Sequence, residues 1–407
     1  FLRFMQFEDT AAELFDADGD KDLDLIIGSG GNESSESDFE ILPRLFLNDG
    51  KGNFTITEFP KTFNNISVIT AHDFDADGDQ DLFIGSSSKP KQFGSTPQSY
   101  IAINNKGKFS LIDPNQNKDL CLVGNVRDAK WSDIDGDNKK ELVVVGDWMC
   151  PTIFKYENGK FIKVVKKEFE NKEGLYETVH IDDVDNDGDN DLIVGNIGEN
   201  FNLHADVENP VKLFINDFDN NGTVEKILTK TINGRDKPVY LKREITQQMP
   251  SLKKKSLKHK EYAVKSIDEL LPSNKLSKGE IKKINEMKSY IAYNDGKGNF
   301  TIVPLPDKVQ FSNVNAIHTF DIDDDNIPEI FIGGNSNNFS SNFTKLDANH
   351  GIILKRQKDK SYDVIPNYKS GYSVNGETKR IIELKINNKS SIVTIINNQQ
   401  PIIYQSK

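Results

Sequence analysis

The chain has 407 residues, a net charge of −12 and 36% hydrophobic residues. That balance argues against a nucleic-acid-binding surface, and no apolar run is long enough to cross a membrane as a helix. The length allows two average domains or one large ring, and the low hydrophobic share suits many short, half-buried strands better than a packed α/β enzyme. The chain opens at Phe1 rather than Met and reads as a mature or excised portion of something longer.

One acidic pattern recurs six times along the chain, Asp-x-Asp-x-Asp/Asn with a further acid at the ninth position. The first copy places ligand candidates at Asp16, Asp18, Asp20 and Asp24, and the second at Asp73, Asp75, Asp77 and Asp81. The third uses Asp133, Asp135, Asp137 and Glu141, and the fourth Asp183, Asp185, Asp187 and Asp191. The fifth uses Asp217, Asp219, Asn221 and Glu225, and the sixth Asp321, Asp323, Asp325 and Glu329. Calcium takes about six to eight hard oxygens in flexible geometry, and alternate positions of a tight loop supply them. Up to about six Ca²⁺ ions are therefore expected. The loops are not EF-hands, which need an acid at the twelfth position and flanking helices. Here apolar runs follow at once (LIIG, LFIG, LVVVG, LIVG, IFIG) and read as strands. A single copy reads equally well as a solvated acidic turn; six copies in one register favour a metal. Clustered carboxylates repel one another without a cation, so folding and metal binding should be coupled. Two copies deviate: the third carries Lys139 and Lys140 beside its ligands, and the sixth has Asn326 for the turn glycine and Pro328 before its last acid. Those two sites are expected to be weaker or empty.

A second phrase follows the loops: RLFLNDGKGNFTI (44–56), SYIAINNKGKFSLI (99–112), TIFKYENGKFIKVV (152–165), SYIAYNDGKGNFTIV (289–303) and a degraded GIILKRQKDKSYDVI (351–365). Each is strand, Asn/Gly turn, strand. Four antiparallel strands per unit is the content of a propeller blade. The expected fold is all-β, a single propeller of about seven blades over 1–407, with a loopless closing blade at 367–407. Pairing between strands from the two chain ends would close the ring. The fifth loop directly follows the strand VKLFIN, so it reads as an insertion inside a blade. Residues 234–288 are different: 15 Lys/Arg against 7 Asp/Glu, with short helices broken at Pro250 and Pro272. This basic insertion has three readings: docking on its own ring, contact with a partner protein, or contact with an anionic surface.

Cys121 and Cys150 flank the third unit and read either as a disulfide or as two free thiols. Asn53 and Asn299 lie in the repeated NFT phrase and read as hairpin chemistry rather than glycosylation sites. No catalytic motif is evident, neither G-x-S-x-G nor H-E-x-x-H. His180 and His318 each lie three residues before a loop, where they line a central channel or pack between blades. Trp131, Trp148 and Tyr100 are candidate sugar-stacking platforms, with Trp131 also a core candidate on its strand.

The repeats resemble the FG-GAP/VCBS type of β-propeller. DFDADGDQDLFIG, the step Gly146-Asp147-Trp148-Met149, NDFDNNG, and QQMPSLKKKSLKHKEYA before Ile267-Asp268-Glu269-Leu270 make the chain similar to bacterial VCBS-repeat relatives of cartilage acidic protein, the ASPIC/UnbV type of Bacteroidota. The chain lacks an obvious ASPIC/UnbV segment. The resemblance implies a secreted or lipid-anchored protein at the bacterial cell surface or outer membrane, binding another surface protein, with glycan a further ligand class. It points to a non-enzymatic binding or scaffold module. The alternative is a glycan-binding accessory or a polysaccharide lyase-like enzyme, since some such lyases use calcium-studded propellers.

Overall fold

The apolar runs that follow the acidic loops form strands buried on both faces: Asp24–Gly30, Asp81–Ser88, Glu141–Met149, Asp191–Gly195 and Glu329–Gly334. A continuous rather than alternating apolar run suits a strand with sheet neighbours on both edges and packed sheets on both faces. The computed structural model describes residues 2–31, 39–254, 258–323, 325–337 and 345–405. In it each of these strands is second in an antiparallel sheet. It pairs on one edge with the inner strand before the loop and on the other with a third strand. The third and outer strands are the hairpins of the second repeated phrase.

Seven sheets are present among the described residues, six of them built on one plan. The inner strands of these six blades are Glu8–Phe15, Asn65–His72, Asn125–Ser132, Thr178–Asp182, Val314–Phe320 and Thr378–Ile386. All six contribute side chains to one central channel. The seventh sheet, Val211–Asn216, Glu225–Ile232, Arg235–Pro238 and Glu280–Ile284, lies in the chain between the second and third strands of blade four. Seven sheets are thus described, and six inner strands surround the channel where a ring of about seven blades was expected. The fifth loop joins Val211–Asn216 to Glu225–Ile232, inside an excursion that runs from 196 to 289 and so begins well before 234. Its short helices Lys242–Gln248, His259–Ala263, Ile267–Leu270 and Ser273–Leu276 cover the inserted sheet. Ile245, Met249, Leu252, Tyr262 and Leu270 bury against Phe214, Phe218 and Ile227. A helix starts after each expected breaker, at Pro250 and Pro272.

Blades are joined by apolar cores. Five such cores link one to two, two to three, three to four, four to five and five to six. In four of the five runs the closing glycine marks where the next blade crosses; at Gly146 the obstacle is Asn125 of its own blade. An added Cβ would lie 2.5 Å from Ile66 at Gly28, 2.7 Å from Val126 at Gly85, 2.6 Å from the Val314 carbonyl at Gly195 and 2.4 Å from Thr378 at Gly333.

Between blades six and one no such core forms among the described residues. The strand pairing expected to close the ring is also not found. The last sheet has three strands, ending at Ile402–Gln405, and Glu8–Phe15 pairs only within blade one. The first strand is consumed as an inner strand, and the residues before it turn back onto their own blade. There Phe4 and Phe7 pack on Arg44, at 5.3 and 4.0 Å from ring centroid to guanidinium, and Phe4 also meets Phe46. Leu14 on blade one, opposite in pleat to the buried Phe15, stays 55% exposed. On blade six, Leu384 and Ile403 are 46% and 54% exposed.

Cys121 is buried and Cys150 half-buried, and both are free thiols, so the disulfide reading does not hold. The Asn53 and Asn299 amides donate to Asp49 and Asp295 within their hairpins, each at 2.8 Å. No helix among the described residues is long and apolar enough to cross a membrane.

Gly85 supplies a direct test of this packing, because its obstacle is side-chain contact and not backbone strain. Gly85→Val is expected to destabilise the chain by about 1–3 kcal/mol through overpacking against Val126 and Val68. Gly78→Asn in an exposed turn should cost much less. Chemical denaturation midpoints compare the two.

Candidate metal loops and the cavities of the ring

Every acidic loop is held by the same backbone bonds. The sixth-position N–H (Lys21, Gly78, Asn138, Gly188, Gly222, Asn326) donates to the first Asp at 2.8–3.1 Å. That residue has positive φ in all six copies. Glycine and asparagine tolerate this conformation best, so Asn326 makes the same turn as the glycines. The fifth-position side chains of Asp20, Asp77, Asp137, Asp187, Asn221 and Asp325 each accept the N–H two residues on. This Asx-type turn commits one oxygen and aims the chain back into the second strand.

The ninth-position acid is the buried anchor. Asp24, Asp81, Asp191, Glu141, Glu225 and Glu329 are all at most 2% exposed. All but Asp81 accept the N–H of the second loop residue, at 2.7–3.3 Å. Asp24, Asp81 and Asp191 also accept an N–H from the third strand, from Asn48, Asn104 and Asn294, each at 2.8 Å. In loops one to five the first, third and ninth acids bring one oxygen each to within 4.8 Å of one another: Asp16/Asp18/Asp24, Asp73/Asp75/Asp81, Asp133/Asp135/Glu141, Asp183/Asp185/Asp191 and Asp217/Asp219/Glu225. The fifth-position residues are not in those groups.

Three anionic oxygens this close are costly without a counter-charge. Burial first, then the charges of Asp75, Asp77 and Asp73, pushes the Asp81 carboxyl up to about 7 against the bond from Asn104. Burial and the charges of Asp185 and Asp187 likewise raise Asp191 to about 7. Burial also raises Asp18, Asp75 and Glu225. Several cluster oxygens are buried with no hydrogen-bond partner: Asp81 Oδ2, Asp185 Oδ1, Asp219 Oδ1, Glu225 Oε1 and, in loop three, Asp135 Oδ1 and Glu141 Oε1. Unpartnered buried oxygens converging on one point fit a hard divalent cation. Calcium would draw on these side chains and supply the positive charge they lack.

Loops three and six differ. In loop three the Lys155 ammonium lies 2.6 Å from Asp135, 2.7 Å from Asp137 and 3.7 Å from Glu141. In loop six the Lys355 ammonium lies 2.5 Å from Asp323, 3.4 Å from Asp325 and 2.8 Å from Glu329. Lys139 and Lys140, the suspects in the sequence, do not pair with these carboxylates. Lys155 and Lys355 lie on third strands, far from the loops in sequence. The readable signal was their shared column in the second phrase, where FKYE and LKR carry a lysine and LFLN and AIN do not.

The first residues of the inner strands meet at the end of the ring opposite the blade loops. There a cavity of about 910 Å³ is lined by Arg127, Asp147, Glu177, Lys379 and Arg380 on the ring and by Phe201, Leu203, Leu213, Tyr240 and Met287 from the insertion. Arg127 pairs with Asp147 at 2.7 Å and approaches Glu177 at 3.9 Å, and Lys379 pairs with Glu377 at 2.6 Å. Trp148 also lines this cavity, at φ +62°, a conformation unusual for a bulky residue. Trp131 instead stacks on Phe74 and packs by Phe161, and Tyr100 receives the Asn64 amide through its hydroxyl at 3.0 Å. The central channel, about 480 Å³, is lined by Glu13, Lys130, His180 and His318 among others. Of the two readings of these histidines, the channel is where they lie. His180 is hydrogen-bonded to Thr319 at 2.7 Å, and burial, then His318, lowers it to about 3, so it is neutral.

The FG-GAP-like repeat family matches residues 16–84, 73–144 and 133–194. No curated protein sequence matches the chain. Among solved structures, the V. cholerae biofilm matrix protein Bap1 is similar at 11% identity and TM-score 0.32, over 98% of this chain and 88% of that one. Bacillus licheniformis rhamnogalacturonan lyase PL11 is similar at 13% identity and TM-score 0.36, over 98% and 72%. The Dos1 propeller is similar at 8% identity and TM-score 0.32, over 99% and 96%. Nothing about ligand, activity or partner is carried over from likenesses this distant. The sheets and the repeat match together describe a β-propeller repeat protein bearing FG-GAP-like repeats.

Proposed function

We propose that this protein is a calcium-stabilised binding and scaffold module, non-enzymatic, working outside the cell or at a bacterial cell surface within an outer-membrane-associated complex. The observation that carries the reading is where the loops lie. Five of them join inner to second strands at the ring end opposite the large cavity, and one ties the inserted sheet. A cation there braces strand junctions and stands away from any ligand in the cavity. The cavity's charged groups are largely paired with one another, which favours a fixed recognition surface over a free catalytic base. The surface setting and the kinship with ASPIC/UnbV-type proteins of Bacteroidota rest on the motif resemblance. A protein partner is placed at the coreless seam, where Leu14, Leu384 and Ile403 expose apolar surface.

A second reading, glycan binding, is favoured by Trp148, an aromatic residue held at an unusual backbone angle in a cavity that polar groups also line. Trp148→Ala should weaken glycan binding at least tenfold on an array, beyond whatever stability is lost with its packing on the Ile197, Phe201 and Leu203 cluster. Undiminished binding would remove the cavity from the reading. A lyase assay on the native chain separates binding from cleavage; product formation would overturn the non-enzymatic assignment.

Chelation of the native chain should lower its melting temperature by several degrees, since each site at a hundredfold excess of calcium over its Kd contributes about 2.7 kcal/mol. Asp75→Ala should lose stability in calcium and little in chelator. The pH dependence should also change sign with calcium. Without metal, Asp81 and Asp191 titrate near 7 in the folded chain against about 3.9 unfolded. The folded state then holds more protons, so stability falls as pH rises through that window. With saturating calcium, protons compete with metal and stability should rise over the same window. Parallel slopes in the two conditions would count against calcium in these loops.

A further inference from the structure

We infer that the six acidic loops are of two kinds. Loops one, two, four and five take calcium, and loops three and six are neutralised from within by the ammonium groups of Lys155 and Lys355. The inference rests on the calcium reading of the other four loops.

Position decides the matter. The ladder between second and third strands aligns the blades: Leu25 faces Phe46, Leu82 faces Ala102, Leu142 faces Phe154, Leu192 faces Ala292 and Ile330 faces Leu354. The next third-strand residue is Leu47, Ile103, Lys155, Tyr293 and Lys355 in that order. Strand geometry sends this side chain to the same place in every blade. In blades one, two and four it is apolar or aromatic. Leu47 packs on the core between blades one and two, and Tyr293 on the core between four and five. In blades three and five it is a lysine whose ammonium lies within 3.7 Å of the third, fifth and ninth loop acids. The third and ninth are two of the three acids that converge in the loops, so the ammonium takes up oxygens a calcium ion would need. A bound ion and the ammonium cannot share the space, and like charges at this distance repel. Calcium would have to expel the lysine, leaving the ammonium without its partners.

The other four loops carry no such group. Among the described residues no lysine or arginine pairs with the loop carboxylates of Asp16, Asp18, Asp24, Asp73, Asp75, Asp81, Asp217, Asp219 or Glu225. In loop four, Arg356 of the next blade reaches Asp185 Oδ2 at 3.2 Å. It also bonds the Asp185 carbonyl at 3.2 Å and pairs with no other acid of the loop among the described residues, and Asp185 Oδ1 stays buried and unpartnered. In loop five, Lys275 bonds the Asp217 carbonyl at 3.3 Å and the Asn220 side chain, not the acids.

The full chain, stripped with chelator, is titrated with calcium chloride, and bound ions are counted by calorimetry and native mass spectrometry. Four ions are expected on the native chain and six on the Lys155→Leu/Lys355→Leu double variant, whose leucines copy Leu47. Six ions of similar affinity on the native chain, or four on the folded double variant, overturn the inference and leave calcium in the other loops standing. No bound calcium at all overturns the functional reading and this inference with it. Should the double variant not fold, two single changes keep the test. Asp135→Asn is expected to shift the denaturation midpoint equally with and without calcium, because it breaks a lysine pair. Asp75→Asn is expected to shift it mainly with calcium. A calcium-dependent shift at Asp135 matching that at Asp75 overturns the inference.

Discussion

The structure turns on the cost of crowding carboxylates into a buried turn. Loops one to five draw their first, third and ninth acids together, and in all six the ninth is almost wholly out of water. The backbone N–H groups of the turn are dipoles, not charges, and Asp81 shows what they leave undone: it accepts the Asn104 N–H, yet its other oxygen is buried and unpartnered. Burial and neighbouring acids then raise its carboxyl toward neutral pH. A cation resolves the conflict wherever it comes from. An ion from solution makes folding depend on that ion; a lysine on the same blade makes the loop independent of it.

That constraint sits at the junction of the inner and second strands, the point where each blade is fixed. The second strand is buried on both faces and, in four blades, carries a glycine crossed by the next blade. A loop that holds its strand pair in register therefore supports the contact between blades as well. The ring is unequal around its circumference. Five interfaces have apolar cores, and the sixth, between the three-stranded last sheet and blade one, has none among the described residues. Edges left unpaired with apolar faces beside them are where sheet proteins meet other sheets.

Much of this was legible in the sequence because it is local. The loop chemistry, the apolar second strands and the five hairpins follow from residues adjacent in the chain, and the direct passage from VKLFIN into the fifth loop already marked an insertion. What was not legible depends on long-range choices. Whether the first strand closes the ring or opens blade one depends on how Phe4 and Phe7 fold back onto Arg44, and composition says nothing of that. Lys139 and Lys140 drew attention because they touch the loop in sequence, while the lysine that enters it sits fourteen residues after Glu141, on another strand. The histidines were readable as channel or core alike, because an inner strand alternates between both.

The ninth acid carries a final distinction. In blades one, two and four it is Asp, and its second oxygen accepts an N–H from the asparagine that follows the apolar third-strand residue. In blades three and five it is Glu, and the third strand carries Lys155-Tyr156 or Lys355-Arg356. The Lys355 ammonium bonds Glu329 Oε1 at 2.8 Å, while Lys155 stands 3.7 Å from Glu141 Oε1, which has no hydrogen-bond partner of its own. The longer side chain and the lysine thus form one alternative set, and Asp with asparagine the other. Glu225 separates the two variables. It has the longer acid but no third strand beside its loop, since helices cover the inserted sheet there; its Oε1, like that of Glu141, lacks a hydrogen bond, but among the described residues no lysine or arginine pairs with it. Glutamate alone therefore does not neutralise a loop. The lysine does, and only a blade with its third strand in register can supply it.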